Sequence, residues 1–158
     1  MKPHLLLLTS AALVTLSFTP VASAEEASDS ARPPYTTPSE VKSWQEGGTP
    51  VTFLDVRESD EFEAGHLPGA MNIAFDKVEG LADTLPHDKP LVIYCIHSAH
   101  RAPEAAKTLR RLGVDNAYVL EGGIAAWEAG GLTIHASDMT KAPHILPVTE
   151  RCENKPAS

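Results

Sequence analysis

The sequence predicts an α/β fold with a mostly parallel central sheet and helices on both faces. Short β-rich apolar runs recur at residues 51–56, Leu91–Tyr94 and Ala117–Leu120. They are continuous rather than alternating, as strands covered on both faces require. Segments with helical caps and helical periodicity separate them, so the chain reads as right-handed βαβ units. One three-layer domain over residues 35–134 accounts for these elements.

Residues 1–24 fall outside that domain. Lys2 supplies a positive n-region, and residues 5–18 form an apolar stretch too short to span a bilayer comfortably, interrupted by Thr9, Ser10, Thr15 and Ser17. Ala22-Ser23-Ala24 is an A-x-A cleavage site before Glu25. The expectation is a cleaved signal peptide, a mature chain starting at Glu25, and a periplasmic protein without stable membrane association after cleavage. Residues 25–34 are polar, small and proline-containing, and read as a disordered terminus.

Thr37-Pro38-Ser39-Glu40 is a capping box with proline at the first helical position, so a helix runs from there to Gln45 and stops at Gly47-Gly48. The strand over residues 51–56 ends in a charged turn. A short helix over Ser59–Ala64 is closed by Gly65, and His66-Leu67-Pro68-Gly69 is a turn. A brief strand at residues 70–73 and a weak helix at residues 77–85 precede the Pro86-His87-Asp88-Lys89-Pro90 break.

Leu91–Tyr94 then delivers Cys95 at its carboxyl end. In the next helix, opening at Ala102-Pro103, Ala102, Ala105, Ala106, Leu109 and Leu112 share one face. Glu104 lies in its first turn, Arg110 and Arg111 in its last, and Gly113 ends it. After the strand Ala117–Leu120, Gly122-Gly123 leads into a helix holding Trp127. From Ala136 the chain is irregular, and residues 135–158 are assigned to a C-terminal tail. No internal repeat is visible.

Residues 25–158 suffice for one domain with a real core and not for two. The formal net charge is −8 at pH 7, and loss of Lys2 makes the mature chain one unit more negative. An acidic chain without a Lys/Arg block argues against nucleic acid and anionic membrane surfaces as partners.

The chemistry concentrates in Cys95-Ile96-His97-Ser98-Ala99-His100-Arg101. A cysteine at a strand's carboxyl end, before a basic loop and a helix, sits where α/β folds build anion sites and nucleophiles. Loop N–H groups, the positive end of the helix dipole and the Arg101 guanidinium would converge near the sulfur and favour the thiolate. Such surroundings lower a cysteine pKa from about 8.5 to roughly 3.5–7.5. His97 and His100 add positive charge when protonated. The plainer alternative for Cys95 is a small apolar residue ending a buried strand. Cys95, His97 and His100 also have a conceivable metal-ligand spacing, but no fourth ligand is obvious, and no metal or organic cofactor is expected. Cys152, in a polar tail, is open to pairing with Cys95, acting as a resolving thiol, or remaining free.

Three separated blocks, covering about residues 37–132, make the chain resemble a single-domain rhodanese, a sulfurtransferase module. The first is Leu54-Asp55-Val56-Arg57 with Glu61-Phe62, Gly65-His66-Leu67-Pro68-Gly69-Ala70 and Asn72-Ile73. The second is the Tyr94-Cys95 loop with its helix, and the third is Leu120-Glu121-Gly122-Gly123-Ile124 with Trp127. The resemblance implies a rhodanese-like domain with Cys95 as catalytic nucleophile. Ile96, His97, Ser98, Ala99, His100 and Arg101 are then its substrate-binding loop. Sulfur would pass from an anionic donor such as thiosulfate to a thiol, cyanide or acceptor protein through a Cys95 persulfide.

Asp55, Arg57, Glu61 and His66 are expected to tie loops together by hydrogen bonds, with no general-base role for Asp55 or His66. Gly122 and Gly123 serve backbone geometry, and Trp127 belongs to the core. One departure stands out. The C-x5-R loop is one residue longer than single-domain rhodaneses commonly carry, and resembles cell-cycle-type dual-specificity phosphatases and some arsenate reductases on the same fold. A longer loop suits a tetrahedral oxyanion, gripped in a fork by the arginine. Against this, Tyr94 stands where those phosphatases usually place histidine, and the loop holds no acidic residue. Sulfur transfer is the leading expectation; phosphate or arsenate chemistry and a non-catalytic or sulfur-carrying module are the alternatives.

Overall fold

The computed structural model describes residues 33–147. The expected signal peptide, nearly all of the expected disordered terminus, and Cys152 lie outside the described residues.

Helix α1, Pro38–Glu46, starts as its capping box dictates. The Thr37 hydroxyl accepts the Glu40 N–H at 3.2 Å, and the Glu40 carboxylate accepts the Thr37 N–H at 2.7 Å. The remaining elements are β1 Tyr35–Thr36, β2 Thr52–Asp55, α2 Ser59–Ala64, β3 Met71–Asn72, β4 Leu91–Tyr94, α3 Arg101–Arg111, β5 Ala117–Leu120 and α4 Gly123–Ala129. All strand pairings are parallel in the order β1-β5-β4-β2-β3, with Asp55 opposite Tyr94 and Ile93 opposite Val119.

Alternation along the strands splits the core into two clusters. Leu54, Ile93, Cys95 and Val119 join Ala102, Ala105 and Leu109 of α3 on one face. Phe53, Val92, Tyr94 and Leu120 join Val41 of α1 and Ile124 and Trp127 of α4 on the other. Both faces being covered explains the continuous apolar runs. It also fixes Cys95 and Tyr94 on opposite faces.

Four details differ from the sequence reading. Strand β1 was not anticipated; it pairs through main-chain bonds from Val119 N–H to Pro34 O and from Glu121 N–H to Thr36 O. The segment expected as a weak helix forms two 3₁₀ stretches, Phe75–Lys77 and Glu79–Thr84, interrupted by Val78 and followed by the Pro86 break. Leu112 is 46% exposed rather than packed, because it sits past the end of α3; the chain reverses at Gly113 (φ +88°) and Val114 enters the core instead. Residues 136–147 are irregular as expected, yet they lie against the domain. His66 and His135 form an antiparallel bridge, and the His144 N–H donates to Ala64 O at 3.0 Å. No helix among the described residues is long and apolar enough to cross a membrane.

Candidate active site

Cys95 leaves β4 at its carboxyl end, 5% exposed, and the loop that follows leads directly into α3. Cys95, Ile96, His97, Ala99, His100 and Arg101 surround a cavity of about 40 Å³. Ser98 does not line it. Its side chain is buried, its hydroxyl has no partner among the described residues, and its φ of +50° turns the loop. His97 and His100 are exposed at the rim.

The main-chain N–H groups of residues 96–100 meet no acceptor among the described residues, and the His100 side chain makes no cap. A run of unsatisfied donors ahead of a helix forms a concavity suited to an anion. The carbonyls at the start of the loop are held instead. Cys95 O accepts from Ile124 N–H at 3.1 Å and Ile96 O from Ala125 N–H at 3.0 Å, so the amino end of α4 clamps the loop from behind.

Arg101 does not turn its fork toward an incoming anion. Its Nη1 donates to Glu61 Oε2 at 2.9 Å and its Nη2 to Glu61 Oε1 at 3.1 Å, and both side chains are buried. Glu61 Oε2 also accepts the Glu58 N–H at 3.1 Å, anchoring the carboxylate on α2. The two-oxygen grip expected for a substrate is thus filled from within the chain. Glu61 carries out the expected loop-tying, with Arg101 as its partner; forty positions separate the two, and no local sequence pattern announces the pairing.

The other polar residues of the first block brace β2. Arg57 and Asp55 are fully buried: Arg57 Nε donates to Asp55 Oδ1 at 2.9 Å, and Nη2 donates to Asp55 Oδ2 at 2.5 Å and to Gly65 O at 2.6 Å. Burial is the largest single influence on the Arg57 charge and opposes it, but the Asp55 carboxylate, with Tyr94 and Glu61 adding to it, leaves the guanidinium pKa raised. Asn72 Nδ2 donates to Asp55 O and Arg57 O at 3.1 and 2.9 Å. Tyr94 accepts the Leu67 N–H at 3.1 Å and lies under Arg57, and burial pushes its phenol well above the usual range. His66 is stacked on Phe62 at 4.0 Å with Nδ1 bonded to Phe62 O at 2.8 Å. Asp55 and His66 are therefore occupied in structural contacts. Trp127 donates to Thr133 O at 3.0 Å and sits in the core.

Two larger clefts, of about 550 and 500 Å³, lie beneath residues 136–144 and contain no loop residue. Among the described residues, no group of three or more His, Cys, Asp or Glu side chains is arranged to hold a metal ion.

A family model for the rhodanese-like domain matches residues 37–130. The uncharacterized protein YqhL of Bacillus subtilis is 41% identical over 75 residues, 48% of this chain and 59% of that protein. The thiosulfate sulfurtransferase GlpE of Shewanella oneidensis is 34% identical over 77 residues, 49% of this chain and 75% of that protein. Among solved structures, a Rhodopseudomonas palustris protein of unknown function, described as a possible tyrosine phosphatase, is similar with a TM-score of 0.58. It is 26% identical, and the match covers 79% of this chain and all of that one.

Proposed function

The chain belongs to the rhodanese-like domain family, and from that premise we propose that it is a sulfurtransferase working through a Cys95 persulfide. The Cys95 thiolate attacks the outer sulfur of an anionic donor such as thiosulfate. A new S–S bond forms, the donor's S–S bond breaks, and sulfite leaves with the electron pair. The persulfide anion is stabilised by the N–H groups of the loop. A thiolate, a cyanide ion or an acceptor protein's cysteine then attacks the terminal sulfur and restores the Cys95 thiolate. His97 and His100 at the rim attract the anionic donor when protonated.

The observation that carries this reading is the cavity over Cys95. At about 40 Å³, it has room beside the loop N–H groups for one added sulfur on Cys95. The similarity to GlpE supports the same class. A second reading, phosphate or arsenate chemistry at Cys95, is favoured by the C-x5-R spacing and by the similarity to the possible tyrosine phosphatase. It requires Arg101 to leave Glu61. We also propose, from the pattern of residues 1–24, that the protein is exported to the periplasm.

The test is intact-mass analysis after exposure to thiosulfate. Wild type should gain the mass of one sulfur atom and lose it on adding cyanide, while Cys95→Ser should gain none. An equal adduct on Cys95→Ser would move the chemistry to Cys152 and overturn the assignment.

A further inference from the structure

We propose that Glu61 is a specificity-determining residue that keeps tetrahedral oxyanions such as phosphate and arsenate out of the Cys95 cradle, an inference that rests on the cradle being the substrate site. Arginine presents the same two-pronged donor geometry to a carboxylate and to a phosphate. Here both prongs are spent on Glu61, at 2.9 and 3.1 Å. Arg101 is nonetheless one of the residues that line the cavity over Cys95. Around that cavity run the loop N–H groups that meet no acceptor among the described residues. The parts of an oxyanion site are therefore assembled, and its strongest donor is engaged by an internal anion.

Two features make that engagement hard to displace. Glu61 is pinned by the Glu58 N–H at 3.1 Å, so its carboxylate cannot follow Arg101 toward the loop. The pair is also buried, with side-chain exposures of 6% for Arg101 and 10% for Glu61. A free anion in water must thus compete with a carboxylate held permanently in place, whose effective concentration far exceeds that of a millimolar solute. A persulfide sulfur needs only the N–H groups, and thiosulfate reaches Cys95 through its outer sulfur with its sulfonate left at the rim beside His97 and His100, so neither competes for Arg101. Glu61 thereby biases one cradle toward sulfur.

Inorganic phosphate binding, measured by calorimetry on the reduced full-length chain, tests this. Glu61→Gln keeps the shape but turns an amide N–H₂ toward the guanidinium, releasing Arg101 to the nearest anion. Phosphate should then bind at least tenfold more tightly than to wild type, and Glu61→Gln with Arg101→Met should lose the gain. A structural brace would show no such gain on removal. Equal phosphate affinity in wild type and Glu61→Gln, or a gain that survives Arg101→Met, overturns the proposal. Should Glu61→Gln fail to fold, Glu61→Asp keeps the buried charge and withdraws the carboxylate by one methylene. A smaller gain of about threefold is expected, and none overturns it. Sulfur uptake from thiosulfate is read on the same samples. Wild type that takes sulfur without a phosphate gain in the variants sinks the gate alone, and a gain without sulfur uptake by wild type sinks the sulfurtransferase reading alone.

Discussion

Gly123 approaches Cys95 so closely that a β-carbon on it would strike the Cys95 carbonyl oxygen, and would lie 2.5 Å from that of Ile96. The two residues after Gly123 donate to those same carbonyls, so backbone meets backbone where α4 supports the nucleophile loop. Gly123 also has φ +60°, a conformation that favours glycine.

Gly123→Ala should therefore cost about 1–2 kcal/mol from the dihedral alone and displace the loop as well. Persulfide formation should slow more than the lost stability accounts for. Gly122→Ala is the control: its φ is +68°, but its β-carbon meets the Ala126 side chain instead of the loop. Melting curves and sulfur-uptake rates on both variants check this. Equal uptake rates in the two would show that the close approach does not position Cys95.

Arg101→Ala leaves the Glu61 carboxylate buried without its ion-pair partner. Breaking a buried pair from one side costs about 3–5 kcal/mol, whereas replacing both partners with neutral groups of similar volume is often near neutral. The single variant should thus be markedly less stable than Arg101→Met with Glu61→Gln. Urea midpoints decide it. A loss under about 1 kcal/mol in Arg101→Ala would mean that the pair does not brace the loop.

The acid side of the stability curve should carry a contribution from the α1 cap. The Thr37 main-chain N–H, followed by its hydroxyl, holds the Glu40 carboxyl below its ordinary value of 4.5. A lowered folded-state pKa gives stability that is present above the unfolded value and lost as pH falls through the folded one. The stability difference between wild type and Glu40→Gln should hold steady above pH 4.5 and shrink below it. A pH-independent difference would show that the capping box works without its charge.

How much of this was legible in the sequence depends on whether the cause was local. The Thr37 box, the short helix closed by Gly65 and the continuous run into Cys95 each state their element within a few residues, and the structure has them there. Strand β1 is only Tyr35–Thr36 and pairs through its main chain with β5, so no side-chain pattern marks it. Leu112 fitted the helical period, but Gly113 ended the helix before the period could matter. The Glu61–Arg101 pairing is tertiary: α2 and the start of α3 meet only because β2 and β4 are neighbours in the sheet. Arginine in a C-x5-R loop reads locally as an anion contact, and only the fold reveals the carboxylate already in its fork.

That carboxylate bears directly on substrate class. Reduced wild type should turn over thiosulfate with cyanide and show little hydrolysis of p-nitrophenyl phosphate. Arg101→Lys sharpens the distinction, because lysine keeps a positive charge beside Glu61 but lacks the planar fork. If Arg101 only braces the loop, sulfur transfer should fall by less than about tenfold, since the point charge still satisfies Glu61. A phosphatase needs the fork on the transition state itself, so its kcat should drop by roughly 10²–10³ with little change in KM. Both substrates assayed side by side on wild type and Arg101→Lys read this out. Phosphate ester turnover exceeding sulfur transfer in wild type, with a steep kcat loss in the variant, would replace the sulfurtransferase reading with the phosphatase one.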